Sequence, residues 1–198
     1  QEIDAARLLL DVGLAAVGVL ALRAAHHVGL ARLWPADAAL RTRLVGPTVT
    51  GLLLGLVPAT IDLVAPIGDI HVDLPVALPN YYVGAIFSEV MFRLIPLGLL
   101  VWGLVTYVSG PRWREGVFWA VALVVGLYEP VVSWQVLTDP GGPGAFESTA
   151  AALAFVSTAY ALNVGAAYVF WTRGFLGAVV LRGAFYLVWH IAWPLLYY

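Results

Sequence analysis

The residues with the clearest chemical potential in this sequence are ionisable side chains inside long apolar segments. Glu89 and Arg93 lie in one such segment, Glu129 lies in the next, and Arg182 and His190 lie in the last. A charge inside a bilayer costs on the order of a few kilocalories per mole, so such residues usually pair with one another or line a wet cavity. These five residues are therefore our first candidates for a functional site.

Spacing predicts how some of these groups are arranged. Glu89 and Arg93 are four residues apart with the acidic residue first, which predicts an ion pair along one helix face. At a rise of about 1.5 Å per residue, Glu89, Glu129 and His190 are expected at one depth, about 10 Å from the outer face. Two carboxyls and an imidazole at one level can bind a metal or activate water. They can equally lock helices together, and we favour that structural role, with no metal and no cofactor.

Composition indicates a membrane protein. Of the 198 residues 62% are hydrophobic and 11% are charged, against about 45–50% and about 25% in soluble domains. The 10 basic residues are all arginine, the net charge is −2 and cysteine is absent. These values exclude thiolate metal sites, disulfides and a nucleic-acid-binding surface built on excess positive charge. The use of arginine in place of lysine favours a prokaryotic source.

Apolar runs separated by polar breaks predict an all-α, multi-pass bundle of about six transmembrane helices in the cell membrane, with residues 1–198 forming a single domain. The predicted spans are residues 3–22, 46–66, 82–108, 116–137, 149–171 and 175–196. Under this topology all seven loop arginines fall on one side, and the positive-inside rule then places both termini outside. These arginines are Arg23, Arg32, Arg41, Arg43, Arg112, Arg114 and Arg173.

Glycine and proline positions predict how the helices pack and bend. Gly51 and Gly55 form a small-xxx-small pattern, which predicts close contact with another helix, and we favour a helix of the same chain over a dimer partner. Gly165 with Ala166 is a second candidate for close approach. Kinks or breaks are expected at three prolines inside spans, Pro58, Pro96 and Pro130.

The predicted outer loop after the second span is also polar. It contains Asp69, His71 and Asp73. We interpret it as a solvated acidic loop, with a divalent-cation site as the alternative.

The buried ionisable residues also lie in a recognisable order of short motifs. The stretch Phe87-Ser88-Glu89-Val90-Met91-Phe92-Arg93-Leu94 is followed by Gly126-Leu127-Tyr128-Glu129 on the next span. Trp171, Arg173 and Gly174 then precede Arg182, Tyr186 and His190, at intervals of eight, four and four residues. Over about residues 82–194 this pattern resembles the CPBP family, the intramembrane proteases related to CAAX prenyl endopeptidases and bacteriocin-processing proteins.

The resemblance assigns roles to positions and shows where this sequence departs from them. The family's first motif is Glu-Glu-x-x-x-Arg, and Ser88 stands at the first Glu while Glu89 and Arg93 are kept. Glu129 stands at a motif histidine. In the last motif Arg182 replaces a histidine and Tyr186 replaces an Asp or Asn, while His190 is kept. Leu162 and Asn163 match the family's Leu-Asn entry into the preceding span.

These departures imply a degenerate member of the family. In active members the first Glu is thought to activate water with help from the two histidines and the Asn. Serine is not a carboxylate base, and arginine cannot accept a proton from water. A Glu and an Arg in place of two imidazoles leave the net charge unchanged, so we expect a Glu129–Arg182 ion pair, although straight helices would separate the two in height. Glu89 and interfacial water, reached by snorkelling, are the other candidate partners of Arg182.

Three functions follow as expectations. The first is a non-catalytic membrane protein on a protease-like scaffold, in contact with the bilayer and binding a lipid-like ligand, another membrane protein or a transmembrane helix. The second is an active glutamic-type or metal-dependent intramembrane endopeptidase that uses Glu89, Glu129 and His190. The third is a proton or ion pathway, which requires polar groups at successive depths, with Ser157, Thr158 and Asn163 as inner candidates.

Overall fold

A computed structural model describes residues 5–30, 33, 40–67, 70–139, 146 and 148–197 of the chain. In this part of the chain every regular element is helical, so the expected all-α class is confirmed. The described residues form nine α-helices: α1 (Ala5–His27), α2 (Leu40–Val64), α3 (Ala77–Glu89), α4 (Ile95–Leu104), α5 (Arg114–Gly126), α6 (Tyr128–Leu137), α7 (Thr149–Arg173), α8 (Phe175–Tyr186) and α9 (Trp193–Tyr197). Wider π-helical turns cover Val90–Leu94, Val105–Ser109 and Leu187–Ala192, and a 3₁₀ turn covers Pro111–Trp113.

Five helical segments in the described part of the chain are long and apolar enough to cross a membrane. They are Arg43–Val64, Ala77–Ser109, Pro111–Leu137, Thr149–Arg173 and Phe175–Tyr197, and they correspond to the second to sixth predicted spans. The first predicted span, 3–22, falls on α1, whose described apolar part, Val12–His27, is shorter. The chain is therefore a multi-pass, membrane-embedded helical protein, and its described residues contain five such segments where about six spans were predicted.

Helix α2 packs closely against α8, the helix that carries the buried Arg182. A Cβ atom added at Gly51 would lie 2.1 Å from the carbonyl oxygen of Leu181, and one at Gly55 would lie 2.8 Å from that of Phe185. Real Cβ atoms do not approach backbone oxygens so closely, so glycine is needed at both positions. The small-xxx-small prediction is confirmed as a contact within the chain. At Gly165, in contrast, an added Cβ atom would have nothing within 4 Å among the described residues, so this glycine makes no close approach there.

The prolines act differently at each position. Helix α2 continues through Pro58, so of the expected kink or break the break is absent there. Pro96 follows the π-helical turn Val90–Leu94, where the Ile95 N–H donates to the Val90 carbonyl. Pro130 lies just after a break at Leu127, which divides the fourth predicted span into α5 and α6. A proline has no N–H to donate to the carbonyl four residues earlier, and at Pro96 and Pro130 this missing hydrogen bond coincides with a widened or interrupted turn.

Two arginine side chains donate hydrogen bonds to backbone carbonyls at one end of the bundle. The Arg173 guanidinium donates to the Arg43 carbonyl at 3.3 Å, and Arg114 donates to the Val28 carbonyl at 3.3 Å. Helix α1 ends at this end and α2 begins there, as an alternating topology requires. Of the other loop arginines used for the orientation, Arg32 and the side chain of Arg41 lie outside the described residues.

Candidate functional site

A buried group of polar side chains joins α3, α6, α7 and α8 with the π-helical turn after α3. We call it the ionic cluster, and it comprises Glu89, Arg93, Glu129, Asn163 and Arg182. Arg182 is its centre and is fully buried. Its Nε donates to Glu89 Oε1 at 2.6 Å, and its terminal nitrogens donate to both carboxylate oxygens of Glu129 at 3.2 Å. The Glu129–Arg182 ion pair expected from the resemblance is thus present.

The five N–H donors of Arg182 are matched by acceptors around it. In addition to the two carboxylates, Nη2 donates to Asn163 Oδ1 at 2.6 Å and Nη1 donates to the Tyr186 hydroxyl at 3.3 Å. A guanidinium presents five donors in a rigid planar fork, so this arrangement satisfies it as lysine could not. Arg182 therefore joins α8 to the two carboxylate-bearing helices and to α7.

The predicted pair of Glu89 and Arg93 is also present. Their side chains lie 3.1 Å apart and both are buried. Two carboxylates and two guanidiniums make up the charges of the ionic cluster, so its formal charges sum to zero. This balance allows four charged groups to lie inside an apolar bundle, where a single unpaired charge would be costly.

Asn163 connects the two arginines to a broken helix. Its Oδ1 accepts hydrogen bonds from both Arg93 and Arg182, and its Nδ2 donates to the Gly126 carbonyl at 2.9 Å. Gly126 is the residue four before Pro130, so its carbonyl lacks the usual helical donor. The Asn163 amide supplies the missing hydrogen bond. Pro130 therefore explains why this amide lies beside the Gly126 carbonyl.

The depths calculated for straight helices did not predict these contacts. Arg182 is eight residues, about 12 Å along a helix, from His190, yet Arg182 is the residue that meets Glu89 and Glu129. The break at Leu127 and the length of the arginine side chain bring the groups together. The expected level shared by Glu89, Glu129 and His190 is replaced by one shared by Glu89, Glu129 and Arg182.

His190 lies outside the ionic cluster, toward the end of the last helical segment. Its Nδ1 is 3.3 Å from Nδ1 of His71, and its ring stacks on Tyr81 at a centroid distance of 4.2 Å. Among the described residues no group of three His, Cys, Asp or Glu side chains is arranged to hold a metal. Asp69 of the polar outer loop lies outside the described residues. Ser88 is half-buried beside Glu89, and in this described part of the chain no hydrogen bond joins it to the cluster.

A cavity adjoins the ionic cluster. It has a volume of about 330 Å³ and lies among α6, α7 and the last helical segment. Most of its lining is apolar, but Glu129, Tyr186 and His190 meet at its wall, together with Ser133 and Thr158. The Glu129 side chain is 26% exposed whereas that of Arg182 is fully buried, so the carboxylate forms the polar boundary between cluster and cavity.

The inner polar residues expected to line an ion pathway form hydrogen bonds to backbone carbonyls or within the ionic cluster. The Ser157 hydroxyl donates to the Leu153 carbonyl and the Thr158 hydroxyl to the Ala154 carbonyl, each within its own helix. Asn163 belongs to the ionic cluster. These hydrogen bonds favour packing roles for the three side chains.

Sequence reasoning missed the polar contacts of Asp62 and the contact between His71 and His190. Asp62, inside the second predicted span, accepts hydrogen bonds from the Ile67 N–H at 2.8 Å and from Trp193 Nε1 at 2.7 Å. A carboxylate within an apolar run indicates a buried hydrogen-bonding partner, so Asp62 could have been identified from the sequence. The contact of His71 with His190 had no such signal, because it joins residues 119 positions apart.

Comparisons with known families, with curated proteins and with solved structures return no match for this chain.

Proposed function

We propose that this chain is a non-catalytic, multi-pass membrane protein that holds a lipid-like ligand in the cavity beside Glu129. In this proposal its scaffold is related to the CPBP intramembrane proteases, and the ionic cluster occupies the place of the hydrolytic centre. The observation that carries the proposal is the direct pairing of Arg182 with both oxygens of Glu129.

This pairing argues against use of Glu129 as a general base. A general base needs an oxygen within hydrogen-bond reach of the water it activates. Both carboxylate oxygens of Glu129 instead accept charge-assisted bonds from a guanidinium that cannot give up its proton. Arg182 also binds Glu89 at 2.6 Å, so both acidic residues of the endopeptidase alternative serve as counter-ions.

The cavity supports binding of a narrow ligand. Its volume of about 330 Å³ is at the lower end of the range of about 300–1,000 Å³ typical of ligand pockets. A transmembrane helix has a diameter of about 10–12 Å with side chains, so it would not fit inside. A single hydrocarbon chain matches the apolar lining.

The polar wall indicates the head of such a ligand. The ionic cluster carries no net charge, and Tyr186 and His190 offer hydrogen-bonding groups at the cavity boundary, next to the Glu129 carboxylate that is already paired with Arg182. A neutral head with a hydroxyl or amide can bond to these groups, whereas a phosphate would face the Glu129 carboxylate. We therefore assign the ligand to neutral amphiphiles.

Binding can be tested with protein purified in mild detergent and examined by native mass spectrometry for retained lipid. Ala159 lines the cavity, so Ala159→Trp should fill it and abolish retention of a neutral amphiphile. Ala154 lies on the same helix on an exposed face, so Ala154→Trp is the matched control and should retain the ligand. Equal retention by both variants would contradict the proposal, as would displacement of the ligand by a transmembrane peptide.

Catalysis is tested separately. The wild-type protein in nanodiscs should cleave neither prenylated CAAX peptides nor transmembrane peptides. Glu89→Gln should likewise show no cleavage, and its effect should be a loss of stability. Robust cleavage that disappears in Glu89→Gln would establish the endopeptidase alternative instead.

A further inference from the structure

We propose a second site, a divalent transition-metal site formed by His71 and His190. The Nδ1 atoms of the two imidazoles face each other at 3.3 Å. Two nitrogen ligands at about 2.0–2.1 Å from a tetrahedral metal ion lie about 3.3–3.4 Å from each other. The pair already has the spacing that a shared metal ion requires.

Aromatic neighbours hold both rings in this arrangement. Tyr81 stacks on His190 with an interplanar angle of 12°, and Trp189 meets the edge of His71 at a centroid distance of 4.9 Å. The Tyr81 hydroxyl accepts a hydrogen bond of 3.0 Å from the Val72 N–H, which fixes the backbone next to His71. Because the ligands are held before the metal arrives, binding requires little reordering of side chains.

The pair is accessible from a cavity of its own. This second cavity has a volume of about 300 Å³ and is lined by His71, His190 and the exposed Asp73. In the described part of the chain no third ligand completes a ready-made group, so water molecules would fill the remaining coordination positions of a bound ion. The carboxylate of Asp73 adds a negative charge at the entrance. Imidazole ligands select zinc, nickel or copper over magnesium and calcium, which prefer oxygen.

The site has a structural consequence that does not depend on the proposed lipid binding. His71 belongs to the connection between α2 and α3, whereas His190 belongs to the π-helical turn Leu187–Ala192 of the last segment. A metal ion shared by the two would crosslink these distant parts of the chain, and it would stabilise only the folded state.

Isothermal titration with Zn²⁺ in detergent, on protein purified without a polyhistidine tag, tests the site. Wild type should bind zinc saturably and melt at a higher temperature in its presence, and His71→Ala and His190→Ala should each weaken zinc binding at least about tenfold, or about 1.4 kcal/mol. His27→Ala, at the opposite end of the bundle, should leave zinc binding unchanged, and Mg²⁺ should not compete. Since His71 lies outside the helices, its variant remains informative if the His190 variant fails to fold. Absence of saturable zinc binding in wild type, or unchanged affinity in His71→Ala, would overturn the proposal.

Discussion

We expect the charges of the ionic cluster to contribute to the free energy of unfolding cooperatively, because each charge is neutralised by the others. Arg182→Gln removes the contacts of the guanidinium with Glu89, Glu129, Asn163 and Tyr186 and leaves the carboxylates of Glu89 and Glu129 with Arg93 as their only cation in the cluster. Breaking a buried ion pair by removing one partner costs about 3–5 kcal/mol. We expect the free energy of unfolding of Arg182→Gln to fall by this amount.

Glu129→Gln should cost less, because the Glu129 side chain is partly exposed to the cavity. The double variant Arg182→Gln with Glu129→Gln restores equal numbers of positive and negative charges, since Glu89 and Arg93 remain paired. It should therefore be more stable than the sum of the single variants predicts, by about 2–3 kcal/mol, at the upper end of the coupling energies found for contacting residues.

Equilibrium unfolding in mixed micelles, followed by tryptophan fluorescence, measures all four proteins. Arg112→Gln is the control, because Arg112 is an exposed arginine in the turn between two helical segments and its loss should change stability by no more than about 0.5 kcal/mol. Additive losses in the double variant would refute the reasoning, since they would mean that the charges act independently of one another.

Four further substitutions test the packing of the bundle, the first three of them by the same unfolding measurement. Gly51→Ala should cost about 1–3 kcal/mol, because its Cβ would meet a carbonyl oxygen of α8 at 2.1 Å. Gly165→Ala, where the added atom meets nothing, should be neutral or stabilising by up to about 1 kcal/mol, and equal effects at the two glycines would contradict the close packing. Asn163→Ala should cost about 1–3 kcal/mol for each buried group left without a partner. A total loss of stability below about 1 kcal/mol would show that Asn163 does not bridge the two arginines and the Gly126 carbonyl. Trp193→Phe removes the 2.7 Å bond to Asp62 and should lower the melting temperature, whereas an unchanged melting temperature would show that this bond is dispensable.

Patterns within one helix could be predicted from the sequence. The ion pair of Glu89 and Arg93 followed from a spacing of four residues, and the contact at Gly51 and Gly55 followed from the need for small residues where helices approach. Local geometry determines both features, so no knowledge of the overall fold was needed.

Contacts between helices were harder to predict, because they depend on where each helix bends. Treating the spans as straight cylinders placed His190, rather than Arg182, level with the two carboxylates. The break at Leu127 follows from the missing N–H of Pro130, yet its effect on side-chain height emerges only when α5 and α6 are packed on α7. The bridging by Asn163 depends on the carbonyl that this break leaves open, and it could not be inferred from motif spacing.

The zero net charge of the ionic cluster has a consequence for the response of the protein to voltage. Moving one elementary charge across a membrane potential of 100 mV is worth about 2.3 kcal/mol, which is how voltage sensors obtain their driving force. Two arginines and two glutamates that shift together through the electric field transfer no charge. Translation of the intact cluster along the membrane normal would therefore require no electrical work at any resting potential, although the cluster carries four ionised groups.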